Sequence, residues 1–185
     1  MRHTISILVD NQPGVLSRVS GLFSGRGFNI ESLSVAETLD PTVSRMTIVT
    51  RGNDQILEQI TKQLNKLVNV IKVLDFTEGD FVEREMALIK VKVDDATRSE
   101  ILGIVDIFRG KVVDVYPTSY TVEITGDEEK IRAIIDLFLP MGVLEVARTG
   151  KAALSRGSKK EKTVKKEKQD ESETLERGNN GQGLL

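Results

Sequence analysis

Cysteine and tryptophan are absent from the 185 residues, and histidine occurs once. Without cysteine there are no disulfides, thiolate metal sites or cysteine nucleophiles. One histidine rules out a multi-histidine metal cluster. A Ser-His-Asp triad would have to be built on His3; with no partner near it in sequence, His3 reads as a solvated residue opening a first strand. No apolar run approaches the length of a membrane span, and residues 1–10 enter a strand directly rather than forming a signal or transit peptide. The expectation is a soluble, cytoplasmic protein that meets no membrane. A basic surplus is missing as well. The net charge is −2, with 17 Lys and Arg against 22 Asp and Glu in residues 1–149, and 9 against 6 in residues 150–185. An acidic body does not suit a nucleic-acid partner.

What is present is periodicity. Ile5, Ile7 and Val9 alternate as a strand over His3–Val9, and Val15, Leu16, Val19, Leu22 and Phe23 recur at helical spacing from Pro13 to Ser24. Gly25 and Gly27 end that helix, one of them as a left-handed residue. A second strand covers Phe28–Ala36, and its alternation changes phase between Ile30 and Leu33, so a bulge is expected near Glu31-Ser32. After a turn at Leu39–Thr42 come a strand over Arg45–Thr50, a helix over Asp54–Leu67 and a strand over Val70–Phe76. The order is βαββαβ, the ferredoxin-like plan.

The plan then repeats. A strand over Met86–Val93, a helix over Thr97–Phe108 stopped by Gly110, a hairpin around Pro117-Thr118, a helix over Asp127–Leu137 and a strand over Val143–Ala147 follow in order. The fold class is therefore α+β, with two tandem ferredoxin-like units over residues 1–78 and 79–155. Residues 156–185 form a charged tail. Lys159–Glu176 holds only Val164 and Leu175 as apolar residues, too few to offset chain entropy, and is expected to be disordered. Its Lys159–Lys168 run, interrupted by Glu161 and Glu167, reads as solvated and not as a polyanion site.

Asp10-Asn11-Gln12-Pro13-Gly14-Val15-Leu16 joins the first strand to the first helix. Pro13 suits a first helical position, and Gly14 adds no side chain, so the amides of Gly14, Val15 and Leu16 are expected to be unpaired and open. Such amides attract a carboxylate or phosphate, and with the Asn11 side chain beside them they suggest a seat for a small zwitterion. An ordinary Pro-started helix explains the same residues. The second unit has Asp94-Asp95-Ala96-Thr97 at this place, where two carboxylates would repel a ligand's acid group. Like Asp127-Glu128-Glu129, they read as helix caps and not as paired catalytic acids.

Gly21, Gly25 and Gly27 end a helix instead of opening one, so they are not a dinucleotide loop. The ferredoxin-like plan also serves RNA-binding domains, but aromatics are only 4% of residues, and Tyr120 alone falls on a third strand. An acylphosphatase-like hydrolase shares the topology yet needs an arginine in the loop that here is Asp10–Gly14, and none is present. The residues on their own assign no catalytic group and no metal ligand.

The strand, Asn11–Leu16, the helix and then Gly27-Phe28-Asn29-Ile30 resemble the ACT domain, an amino-acid-sensing module. Residues 1–150 resemble more closely the small regulatory subunits of acetolactate synthase. The resemblance lies in Gly14-Val15-Leu16, Arg26–Ile30, Ser44–Thr47, Val82–Val91, Ile107–Lys111 and Ala147–Gly150. It implies a chain that does no chemistry and holds no cofactor. Such a chain would activate a large catalytic subunit that carries thiamine diphosphate, Mg and FAD, and make it sensitive to valine. It further implies a homodimer through the ACT domain with valine between the copies. Asn11, Gly14, Val15 and Leu16 of one chain would hold the amino acid, and Asn29 and Ile30 of the other would close over it. Asn29 is equally read as a turn residue after Gly27. Arg26 is a candidate contact to the catalytic subunit, and equally a capping or solvated arginine. An ACT regulator of another amino-acid enzyme would keep the same seat.

Overall fold

A computed structural model describes residues 1–77 and 81–157. Residues 2–75 run β1 (Arg2–Asp10), α1 (Val15–Ser24), β2 (Ile30–Glu37), β3 (Val43–Arg51), α2 (Asp54–Leu64) and β4 (Val70–Asp75). The second half runs β5 (Phe81–Lys92), α3 (Arg98–Ile107), β6 (Lys111–Tyr116), β7 (Ser119–Gly126), α4 (Glu128–Phe138), β8 (Val143–Arg148) and β9 (Ala152–Ser155). The sheets are antiparallel with orders β2-β3-β1-β4 and β6-β7-β5-β8, two ferredoxin-like units in tandem. Among the described residues no helix is long and apolar enough to cross a membrane.

The alternation in β1 puts Ile5, Ile7 and Val9 on one face. There they meet Val15, Val19, Leu22 and Phe23 of α1 and Leu57, Ile60 and Leu64 of α2. Ala87, Ile89 and Val91 of β5 do the same under α3 and α4. Burying such a side chain contributes about 1.5–3 kcal/mol, so each unit has its own apolar core. The bulge expected in β2 is present. Ile30 pairs with Thr50 and Ser32 with Val49, which leaves Glu31 between them.

Several local expectations are corrected. His3 is fully buried and not solvated. Its Nε2 donates to the Gly52 carbonyl and its Nδ1 faces the Thr77 hydroxyl, both at 3.0 Å, so the ring cross-links the sheet ends. The first helix starts at Val15, not Pro13, because Gly14 is left-handed (φ 83, ψ −9). Gln12–Val15 is thus a type II turn with Pro and Gly at its two central positions. The second helix stops at Leu64, where the Asn65 side chain donates to the Thr61 carbonyl and competes with the helical ladder. At the end of α3 the positive φ belongs to Arg109 (53°) and not to Gly110. The Gly110 position is constrained by space instead, since a Cβ there would stand 3.1 Å from the Glu123 carbonyl.

The largest departure is at the far end of the second unit. The fifth strand begins at Phe81, not Met86, and residues Phe81–Arg84 pair with Ala152–Ser155 of β9, a strand not foreseen. The tail expected over residues 156–185 lies, from residue 158 on, outside the described residues. Beside β9, the Glu85 carboxylate is buried and receives two bonds from Arg148, Nε at 2.7 Å and Nη2 at 2.5 Å. Glu85 holds the Arg148 guanidinium above its usual pKa. Arg148→Ala strands the carboxylate. We expect a loss of about 2–3 kcal/mol in denaturant unfolding of the second unit, below a fully buried pair because the Arg148 side chain is 42% exposed. Arg148→Lys should recover less than half of it, since a lysine cannot make the two-pronged bond.

Candidate functional site

The loop after β1 is held from both sides. The Asp10 carboxylate accepts from the Asn69 side chain at 3.0 Å, and Asn69 in turn accepts from Arg18 at 2.6 Å. The Asp10 carboxylate is therefore engaged by Asn69. The Asn11 amide donates to the Thr42 carbonyl at 2.7 Å. Its side-chain Nδ2 donates to Glu37 Oε1 at 3.0 Å and to the Pro41 carbonyl at 2.9 Å. Both neighbours are acceptors, which fixes the amide orientation and leaves Oδ1 without a partner among the described residues.

The type II turn then aims the start of α1 outward. The Val15 amide is taken by the Gln12 carbonyl at 3.3 Å, so it is not open as expected. The amides of Gly14, Leu16 and Ser17 have no partner among the described residues. No side chain caps α1, and its first turn contains no acidic residue. Helices α2 and α4 are capped, and α2, α3 and α4 each carry an acidic residue in the first turn. Asn53 accepts from the Ile56 amide ahead of α2, and Asp127 from the Lys130 amide in α4, both at 2.9 Å. Asp94 takes the Ala96 and Thr97 amides ahead of α3 at 3.0 and 2.9 Å, and the Thr97 amide and hydroxyl hold its carboxyl below the usual range. Among the four described α-helices, α1 alone has neither a side-chain cap nor an acidic residue in its first turn; α3 also lacks a side-chain cap but carries Glu100 there. Val15 points its side chain into the core, so only its backbone faces the loop, whereas Leu16 is exposed beside the mouth.

Asn29 and Ile30 lie elsewhere. Register runs Ile30–Thr50–His3 at one end of the sheet and Glu37–Ser44–Val9 at the other. Asn11, bonded to Glu37, is at the second end, and Asn29, whose carbonyl accepts from Thr50 at 2.7 Å, is at the first. The seven steps of strand from Ile30 to Glu37 separate them by about 23 Å. Within one chain the six expected residues fall into two separate groups. Both lie beside β2, which among the described residues pairs only with β3 and is the edge strand of its sheet.

Arg26 is engaged inside the chain, donating to Gln63 at 2.9 Å and to the Leu22 carbonyl at 3.4 Å as a cap on α1. Tyr120, the one third-strand aromatic, is buried in the core of the second unit and offers no stacking face. A hollow of about 510 Å³ lined by Met1, Arg2, Arg51, Gly52 and Asn53 opens at the Asn29 end of the sheet, far from Gly14.

Two ferredoxin-like units, the first with a Pro-Gly turn baring its first helix, make this a regulatory-type ACT-domain protein. Residues 5–72 match the model described as AHAS small subunit-like ACT domain, and residues 84–157 match that of the small subunit of acetolactate synthase. The chain belongs to the family of acetolactate synthase small subunits. It is 54% identical over 160 residues to the probable acetolactate synthase small subunit of Archaeoglobus fulgidus, covering 86% of this chain and 100% of that one. The Aquifex aeolicus acetolactate synthase small subunit is 49% identical over 170 residues, covering 91% and 86%. The crystal structure of the small subunit from Thermotoga maritima superposes with a TM-score of 0.79 at 45% identity, covering 86% of this chain and 99% of that one.

Proposed function

We propose that this chain regulates an acetolactate synthase in branched-chain amino acid biosynthesis. It binds the large catalytic subunit, raises its activity, and makes it sensitive to valine held between two copies of the first unit. The ACT domain is taken as residues 1–78, the second ferredoxin-like domain as 79–155 and the tail as 156–185. Thiamine diphosphate, Mg and FAD belong to the catalytic subunit, and this chain contributes binding and coupling only.

The observation that carries the reading is the separation of these two groups of residues along an edge strand. A two-fold axis that pairs β2 with its copy antiparallel sets the Glu37 end of one strand beside the Ile30 end of the other. Asn11, Gly14 and Leu16 of one chain then face Asn29 and Ile30 of its partner. The bare Gly14 and Leu16 amides suit the ligand carboxylate, Asn11 Oδ1 suits its ammonium, and the exposed Leu16 side chain suits an aliphatic side chain. Ser17, Ser20, Gly21 and Ser24 follow one another on a face of α1, and such small residues let two helices approach closely.

Valine shifts the holoenzyme only through its different affinity for two arrangements of the dimer, and a coupling of about 1–3 kcal/mol corresponds to a 5–150-fold effect. Reconstitution with the large subunit tests this. Added chain should raise acetolactate formation, and valine should reverse the gain. Calorimetric titration with valine, leucine, isoleucine, serine and phenylalanine should give tightest binding for a branched aliphatic ligand. A chain that leaves the large subunit unaffected, or that prefers serine or phenylalanine, refutes the assignment.

A further inference from the structure

A ladder of six charges of alternating sign joins the two units. Arg51 Nε meets Glu31, Glu31 meets Arg2 Nε at 2.6 Å, and Arg2 Nη1 meets Glu128. Glu128 then meets Lys151 Nζ at 2.8 Å, and Lys151 meets Glu83 at 2.9 Å. The first three belong to the ACT unit and sum to +1; the last three belong to the second unit and sum to −1. The Lys151 ammonium is buried, so solvent and salt screen its pairs far less than surface pairs.

The backbone follows the charges. The Lys151 amide donates to Ser32 Oγ at 3.3 Å. Gly150 has φ 78, and a Cβ there would stand 2.8 Å from Ser32 Oγ and 3.2 Å from the Leu33 carbonyl. The chain entering β9 therefore lies directly on the start of β2. Under this contact Leu74 and Phe76 pack with Ala153 and Phe81, the two rings stacked at 5.2 Å.

Glu31 is the bulged residue immediately after Asn29 and Ile30. A bulge leaves its residue outside the strand ladder, so the Glu31 backbone follows Ile30 while its carboxylate holds Arg2 of β1 and Arg51 of β3. We propose that this ladder is the link by which the ligand seat controls the second unit. A ligand that fixes Asn29 and Ile30 fixes Glu31, holds Arg2 on Glu128 and clamps residues 148–155 through Lys151. The proposal rests on valine occupying the seat described above, and it adds the route out of that seat.

Hydrogen exchange on the full chain, with and without saturating valine, separates the two. In the wild type, valine should slow exchange at residues 11–17 and 28–31, and should slow it several-fold at 148–155. Glu31→Gln cuts the ladder on the ACT side and leaves Lys151 with both carboxylates, so the fold is retained. Lys151→Met removes the buried charge at similar length. Both variants should keep valine protection at 11–17 and lose it at 148–155. Protection at the seat with none at 148–155 in the wild type overturns the link and leaves the seat standing. Protection at 148–155 that survives Glu31→Gln overturns the link as well. No protection at 11–17 in the wild type removes the seat, and the link with it.

Discussion

Replacing Gly14 by aspartate should abolish valine binding without unfolding the chain, and replacing it by alanine should not. Gly14 is at φ 83, and a Cβ added there would meet nothing within 4 Å. The position is glycine for its backbone angle, not for lack of room. A left-handed conformation costs an L-residue about 1–2 kcal/mol, least for Asn and Asp. An aspartate at this point also carries a carboxylate toward the unpaired Leu16 and Ser17 amides, from a left-handed backbone where Asp127 caps α4 from an extended one. That cap is worth about 0.5–2 kcal/mol and offsets the strain. Gly14→Asp is therefore expected near wild-type stability, with its own side chain in the place of the ligand's acid group. Calorimetry should show valine affinity lowered at least about 100-fold, a loss of about 2.7 kcal/mol. Gly14→Ala pays the strain with nothing to compete for the amides, so it should unfold about 1–2 kcal/mol more easily yet bind valine within about tenfold of wild type. Equal losses for both variants would assign the effect to the backbone angle. Wild-type affinity in Gly14→Asp would move the seat away from α1 altogether.

Much of this was readable from the residues in order. The stripes of Ile5, Ile7 and Val9 and of Val15, Val19, Leu22 and Phe23 define which faces are buried, because burial follows a local period. Even the Glu31 bulge announces itself as a change of phase. What escaped was built from distant partners. His3 is buried by Gly52 and Thr77, 49 and 74 residues away, and nothing beside it signals them. Phe81–Glu85 carries three charged residues in five, so apolar alternation misses it. Its burial comes from Arg148, from Lys151 and from a strand some 70 residues on. At the seat, Pro-Gly fits both a helix start and a type II turn, and only the sign of the Gly14 φ decides. The bonds that engage the Asn11 donors come from Glu37 and Pro41 across the sheet. They decide which Asn11 atom is left over, and they lie 26 and 30 residues away.

A lysine at Val35 should separate the two chains and, with them, the ligand. Val35 stands on the edge strand β2, 42% exposed, and it pairs with Met46 on the face that carries the helices. Charged residues on an edge strand oppose pairing with another edge, and in an isologous interface each substitution occurs twice. Two lysines brought toward one strand junction should raise the dimer dissociation constant by at least about 100-fold, or 2.7 kcal/mol, as read by sedimentation. The variant alters no group assigned to the ligand, so its valine affinity tests whether the seat needs both chains. If Asn29 and Ile30 come from the partner, binding and dimerisation are linked by mass action. Valine affinity should then fall at low protein concentration, recover as concentration rises, and draw the monomers together when valine is added in excess. The wild type should show the same concentration dependence only near its own, lower dissociation constant. A Val35→Lys monomer that binds valine at wild-type affinity would confine the seat to one chain. The 23 Å or so between Asn11 and Asn29 would then exclude one of the two from it.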